Sequence, residues 1–161
     1  MKTATFETPS DTQVEVVRHF DAPVDLVWKC FSEAQLLRRW MLGPPGWSMP
    51  VCEMDFRVGG RYENRFRNDE DGIEISLVGE ICEIEALTKI VQKEQFGLGD
   101  AADELGNESV VTLTFEGRNG VTSVTTLIEY ASKEARDAAL ATGMTAAMEM
   151  GYSRIDDLVA S

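Results

Sequence analysis

The residues best suited to chemistry in this chain are few and widely spread. His19 is the only histidine and stands two residues before Asp21, an arrangement that suits a general base. No serine or cysteine is placed beside it as a nucleophile and no second histidine offers metal spacing, so a structural, partly exposed imidazole is the stronger reading. Glu80, Glu83 and Glu85 fall in one extended run. Residues two apart on a strand share a face, so Glu83 and Glu85 could approach as paired carboxylates, although charges in an antiparallel sheet usually mark its solvated side. Arg57, Arg61 and Arg65 alternate nearby and can balance them. Cys30, Cys52 and Cys82 are an odd number with wide spacing, which fits buried free thiols better than a disulfide framework or a metal site. Gly59-Gly60 lacks the Lys-Ser/Thr of a phosphate loop and opens no helix, so it reads as a turn.

Composition narrows the function classes. A net charge of −13 over 161 residues argues against a basic footprint for nucleic acid or anionic lipid. The length suits one well-buried domain, residues 1–161. Residues 1–12 are polar and carry no signal-like apolar core, and no later stretch is apolar enough to span a membrane. A cytoplasmic protein with a flexible segment at residues 1–11 is the expectation.

The elements that must position these residues follow from periodicity. Gln13 to Phe20 reads as a strand that ends at Asp21-Ala22-Pro23. Asp21 is a candidate cap for a short helix carrying Val24, Val27, Trp28 and Phe31, and a second short helix carries Leu36, Leu37 and Trp40 up to the break at Gly43-Pro44-Pro45-Gly46. Six strands follow. Gly59-Gly60 and Gly117 to Gly120 form hairpin turns, Gly79 reads as a bulge, and the glycine-rich stretch from Gly97 to Ser109 reads as a mobile loop. From the cap Ser132 onwards, the absence of proline predicts one long helix with a stripe of Leu140, Met144, Met148, Ile155 and Leu158. An interrupted meander followed by a long helix predicts an α+β domain in which a curved antiparallel sheet wraps that helix.

Several motifs carry a family resemblance. Arg18 to Pro23, Val27-Trp28, Arg39-Trp40, Asp55 to Tyr62, the strand from Gly79 to Ile84, Val111 to Phe115, Glu134 to Leu140 and Gly151-Tyr152 resemble the SRPBCC, or START-like, superfamily. Within it they are similar to the branch named after the activator of the heat-shock protein 90 ATPase. The resemblance runs from about residue 12 to residue 159 and implies a helix-grip fold with an apolar cavity between sheet and helix. Its motifs are turn, packing and cap residues, which specify the fold more than any chemistry.

The expected function is binding of a small apolar or amphipathic molecule, with the Gly97 to Ser109 loop and the Pro44-Pro45 turn as lids. Trp40, Trp47, Met54, Phe66, Phe96, Met144 and Met148 are the expected walls, because aromatic faces and flexible thioethers suit such a pocket; both also serve to fill cores. His19, Arg57 and Glu80 are the candidate polar groups for a second reading, a cyclase- or hydrolase-like cavity enzyme. A third reading is a protein-partner module. The chain resembles only the lone C-terminal-type domain of chaperone activators, without their additional domain, and this departure argues against chaperone activation. No cofactor or metal is expected, and a homodimer is expected only as the commonest oligomer.

Overall fold

The computed structural model describes residues 3–41, 43, 45–98 and 108–160. Eight strands form one antiparallel sheet: β1 (Thr5–Glu7), β2 (Gln13–Phe20), β3 (Trp47–Met54), β4 (Arg61–Asn68), β5 (Glu74–Glu85), β6 (Lys89–Leu98), β7 (Glu108–Arg118) and β8 (Val121–Tyr130). Their order across the sheet is β1-β2-β8-β7-β6-β5-β4-β3. Helices α1 (Val24–Ser32) and α2 (Ala34–Trp40) intervene between β2 and β3, and α3 (Lys133–Ala141) and α4 (Met144–Ala160) end the chain. This is the α+β helix-grip arrangement, a curved sheet closed over its C-terminal helix.

Alternation sets which face is covered. On β2, Val14, Val16, Arg18 and Phe20 are buried while the residues between them reach solvent, and β8 repeats the pattern at Thr122, Val124, Thr126 and Ile128. Direct antiparallel partners share a face. The register therefore carries this inner face across the sheet to β4 and β3.

The structure departs from the sequence expectations at four places. Residues within the supposedly flexible N-terminus form the short edge strand β1, and the Ala4 amide donates to Glu149 Oε1 at 2.7 Å. The long helix is two helices, because Gly143 adopts φ +84°, a left-handed conformation that a glycine takes without strain and that ends α3. Ser132 caps α3 as expected, accepting from the Ala135 amide, whereas Pro23, not Asp21, stands at the N-cap of α1. The irregularity in β5 falls between Ile81 and Glu83 rather than at Gly79.

One end of the molecule is densely filled. Trp28 meets Phe115 and Phe56 edge-on, Phe31 touches both Phe115 and Trp40, and Trp40 stacks on Tyr152, with centroids 4.9 to 6.2 Å apart. A Cβ on Gly151 would lie 3.1 Å from the Trp40 ring, so α4 approaches α2 at a residue with no side chain. The Trp40 indole donates to the Cys30 carbonyl at 2.7 Å. Arg154 of α4 donates to the carbonyls of Trp40 and Gly43, which satisfies the end of α2.

Arg18 completes this end. Only 1% exposed, it donates to both oxygens of Glu149, to both oxygens of Asp156 and to the His19 carbonyl. Burial alone would lower its pKa, but the bonds to Asp156 and Glu149 more than offset this and hold it above the ordinary arginine value. Burial would raise the Glu149 pKa; Arg18 and the Ala4 amide outweigh it, so that carboxyl lies below the usual glutamate range. The residue that leads into β1, together with β2 and α4, thus meets at one carboxylate.

Candidate functional site

The opposite end of the concave face is built differently. Register places Met54, Tyr62, Gly79, Glu94, Ser109 and Tyr130 in one row across six strands, β3 to β8. One step along lies the row Cys52, Asn64, Leu77 and Phe96. On the other side lies Ile81, Gln92, Val111 and Ile128. An apolar sheet face is thus interrupted by a short polar line.

Gly79 makes that line possible. A Cβ there would stand 2.5 Å from the Tyr62 ring and 2.4 Å from the Lys93 carbonyl, so the phenol of β4 lies directly across β5. It reaches β6, where the Tyr62 hydroxyl donates to Glu94 Oε1 at 2.9 Å and accepts from Gln92 Nε2 at 3.0 Å. Burial pushes the Glu94 carboxyl above the usual glutamate range, and the Tyr62 bond offsets only part of that. Burial and the facing Glu94 raise the Tyr62 phenol, and the same two causes push Tyr130 up to about 12. Both phenols are therefore neutral donors at ordinary pH.

Several apolar groups that pack against the core stay half-buried. Tyr130, Phe66, Met54, Leu140, Met144 and Met148 pack against the core without being sealed by it. The Tyr130 hydroxyl lies 3.5 Å from Met144 Sδ. Asn64 adds an unpaired acceptor: it is 4% exposed, its amide nitrogen lies 3.9 Å from Met41 Sδ, and its Oδ1 has no hydrogen-bond partner.

The residues expected to matter separate into three places. Met54, in the row of Tyr62 and Glu94, and Phe66, Met144 and Met148 are half-buried, and Phe96 lies on the inner face of β6 but is 42% exposed. Trp40 is instead sealed in the aromatic cluster, and Trp47 is half-buried at the start of β3 against Gly43. His19, Arg57 and Glu80 are corrected: none lies on the concave face. His19 is exposed and bonds Ser123 through Nδ1 at 2.7 Å, Arg57 pairs with Asp55 in the β3–β4 turn, and Glu80 is exposed opposite Arg61 and Lys93. Glu83 and Glu85 do share a face, where both approach Lys89 Nζ. Of the two expected lids, residues 99–107 and Pro44 lie outside the described residues, and Pro45 is an exposed turn residue.

Glu94 was missed although its signal was present. Ile90, Gln92, Glu94 and Phe96 alternate in phase with the buried Ile90, and the same period places Glu80 opposite the inward Ile81. No group of histidine, cysteine and acidic residues among those described could hold a metal ion. Cys30 and Cys52 are buried free thiols whose pKa values burial raises, which leaves them unreactive. A separate cleft of about 180 Å³ lies outside the sheet between α1, α2 and the end of α4, lined by Leu26, Lys29, Cys30, Leu36, Arg39 and neighbours. Drug-sized ligand pockets start at roughly 300 Å³, so this cleft is small for one.

The model of the activator of Hsp90 ATPase homolog 1-like family matches residues 21–160. The chain belongs to that family. Solved structures agree with this AHSA1-like assignment in shape. A crystal structure of a Rhodobacter sphaeroides protein is 27% identical, covers 98% of both chains and superposes with a TM-score of 0.86. A solution structure of an Arthrobacter aurescens protein is 26% identical over 97% of this chain and 91% of its own, with a TM-score of 0.82. The Mycobacterium smegmatis protein Ms6760, 24% identical over 97% and 96% with a TM-score of 0.84, shares the fold. No curated protein matches the sequence. No helix among the described residues of this AHSA1-like chain is long and apolar enough to cross a membrane.

Proposed function

We propose that this AHSA1-like chain is a cytoplasmic binding protein for a small apolar or amphipathic molecule, held between α4 and the part of the sheet formed by β4 to β6. The observation that carries this reading is the Tyr62–Glu94 pair set in one strand row with the half-buried Met54 and Tyr130, whose hydroxyl lies against Met144 Sδ. Apolar walls with one convergent polar cluster are the usual composition of a ligand pocket. The flexible Met144 and Met148 side chains would adapt to ligands of varied shape.

Met144→Trp tests the placement by filling the space. The variant is expected to unfold with a midpoint close to that of the parent while losing binding of an apolar fluorescent probe. A well-folded variant that binds the probe normally would put the cavity elsewhere. Native mass spectrometry of gently purified protein adds an independent test, because a co-purifying apolar compound would be displaced in Met144→Trp.

A second reading, a cavity enzyme, gains support from one feature. A carboxyl raised by burial and held by a phenol is the kind of group that acid–base catalysis employs. The protein-partner reading gains none from the surface described. The large exposed apolar residues Leu26, Val58, Ile73, Leu87 and Phe96 are scattered over α1, three connecting segments and β6, rather than gathered on one face.

A further inference from the structure

We propose that the molecule taken by this cavity carries an amine, and that its nitrogen binds as an ammonium against the Glu94 carboxyl. The proposal rests on the cavity reading above and adds the chemical class of the ligand. It follows from what the polar line lacks. Glu94 Oε1 accepts from Tyr62, and no donor is found for Oε2 among the described residues. One row away Asn64 Oδ1 is a second unpaired acceptor, on a residue more than nine-tenths buried. Thr126 Oγ1 on β8 of the same face is also without a partner and, as a hydroxyl, can donate or accept; at the Glu94 and Asn64 oxygens the open capacity is acceptor, and a ligand there must bring donors.

Charge points the same way. The buried cation of the inner face, Arg18, already serves Glu149 and Asp156 at the packed end. Lys93 and Lys89 project from β6 on the outer face, next to Glu80, Glu83 and Glu85. A buried carboxyl with no cation beside it among the described residues favours a ligand that supplies one. The ring of Tyr130 and the thioether of Met144 offer polarisable neighbours for a cationic head. A ligand carboxylate would instead meet the ionised form of Glu94 as a like charge, and it brings no donor to Asn64 Oδ1.

Binding is then linked to protons. The titratable groups facing Glu94 among the described residues are the phenols of Tyr62 on β4 and Tyr130 on β8, with the Cys82 thiol of β5 near Tyr62. The two phenols are held neutral through the acid and neutral range, so the change there belongs to Glu94. Where the empty site keeps its carboxyl protonated, an incoming ammonium ion releases that proton to solvent. Amine affinity therefore falls as pH drops through the Glu94 transition.

The experiment uses the full chain and three probes with one apolar body, octylamine, octanol and octanoate, titrated calorimetrically. Octylamine is expected to bind about tenfold tighter than octanol, the scale of one charge-assisted hydrogen bond, with octanoate weakest. Its enthalpy should change with the ionisation heat of the buffer where Glu94 starts protonated, a readout that needs no variant. Glu94→Gln should abolish the preference for octylamine over octanol. If octanol or octanoate binds as tightly as octylamine, or if Glu94→Gln keeps the preference, the amine assignment is overturned and the cavity stands. If none of the three binds, both the assignment and the cavity reading fail.

Discussion

The two ends of this molecule use the same sheet face in opposite ways. At one end the rings of Trp28, Phe31, Trp40, Phe115 and Tyr152 touch one another, and the charged group buried with them, Arg18, donates to two carboxylates and a carbonyl. At the other, Tyr62, Gln92 and Glu94 satisfy each other only in part, and the thioethers above them remain half-buried. Concentrating the packing at one end leaves the side chains of the other less tightly enclosed at tolerable cost.

The sharpest way to break this contrast is to truncate one residue at each end. Trp40→Ala should destabilise the fold by about 3–5 kcal/mol, the cost of emptying a closed aromatic site. Met148→Ala should cost about 1 kcal/mol, below the range for a closed core, because its surroundings are already loose. Urea denaturation of both variants measures the difference. Equal losses would show that the two ends are packed alike.

Arg18→Met comes next. Breaking a buried ion pair on one side costs about 3 kcal/mol, here shared between two partly exposed carboxylates. Its pH signature is more specific than its size. Glu149 has a depressed pKa in the folded state, so its contribution is present above the ordinary glutamate pKa and is lost as pH falls through the lower, folded value. The parent should therefore weaken across that acid window, and Arg18→Met should lose most of this slope.

Glu94→Gln is expected to have the smallest effect and the opposite sign. A carboxyl raised by burial costs nothing below the ordinary glutamate pKa, and its penalty grows as pH rises from there to the folded value. The amide variant should match the parent in acid and exceed it at neutral pH by about 1 kcal/mol. A loss of stability at neutral pH would mean that the carboxylate is better served than the hydrogen bonds indicate.

Much of the frame was legible in the sequence, because strand alternation, turn glycines and the Ser132 cap are local signals. The polar line around Glu94 was less so. His19, Arg57 and Glu80 drew notice as types of residue, whereas Glu94 owes its character to a phenol arriving from two strands away across a glycine. That contact depends on the register of three strands, which no local pattern contains. The break at Gly143 was overlooked because glycine is tolerated inside helices at modest cost, so sequence alone does not say which glycine ends one.

The bond from the Ala4 amide to Glu149 gives the N-terminal segment a further property. Backbone amides near a chain end normally exchange with solvent almost freely, since opening them disturbs nothing else. Here, releasing that amide withdraws a donor from the carboxylate that also grips Arg18, so its exchange is tied to the seating of the C-terminal helix on the sheet. A single deuterium label four residues from the start of the chain would thus keep time for the far end.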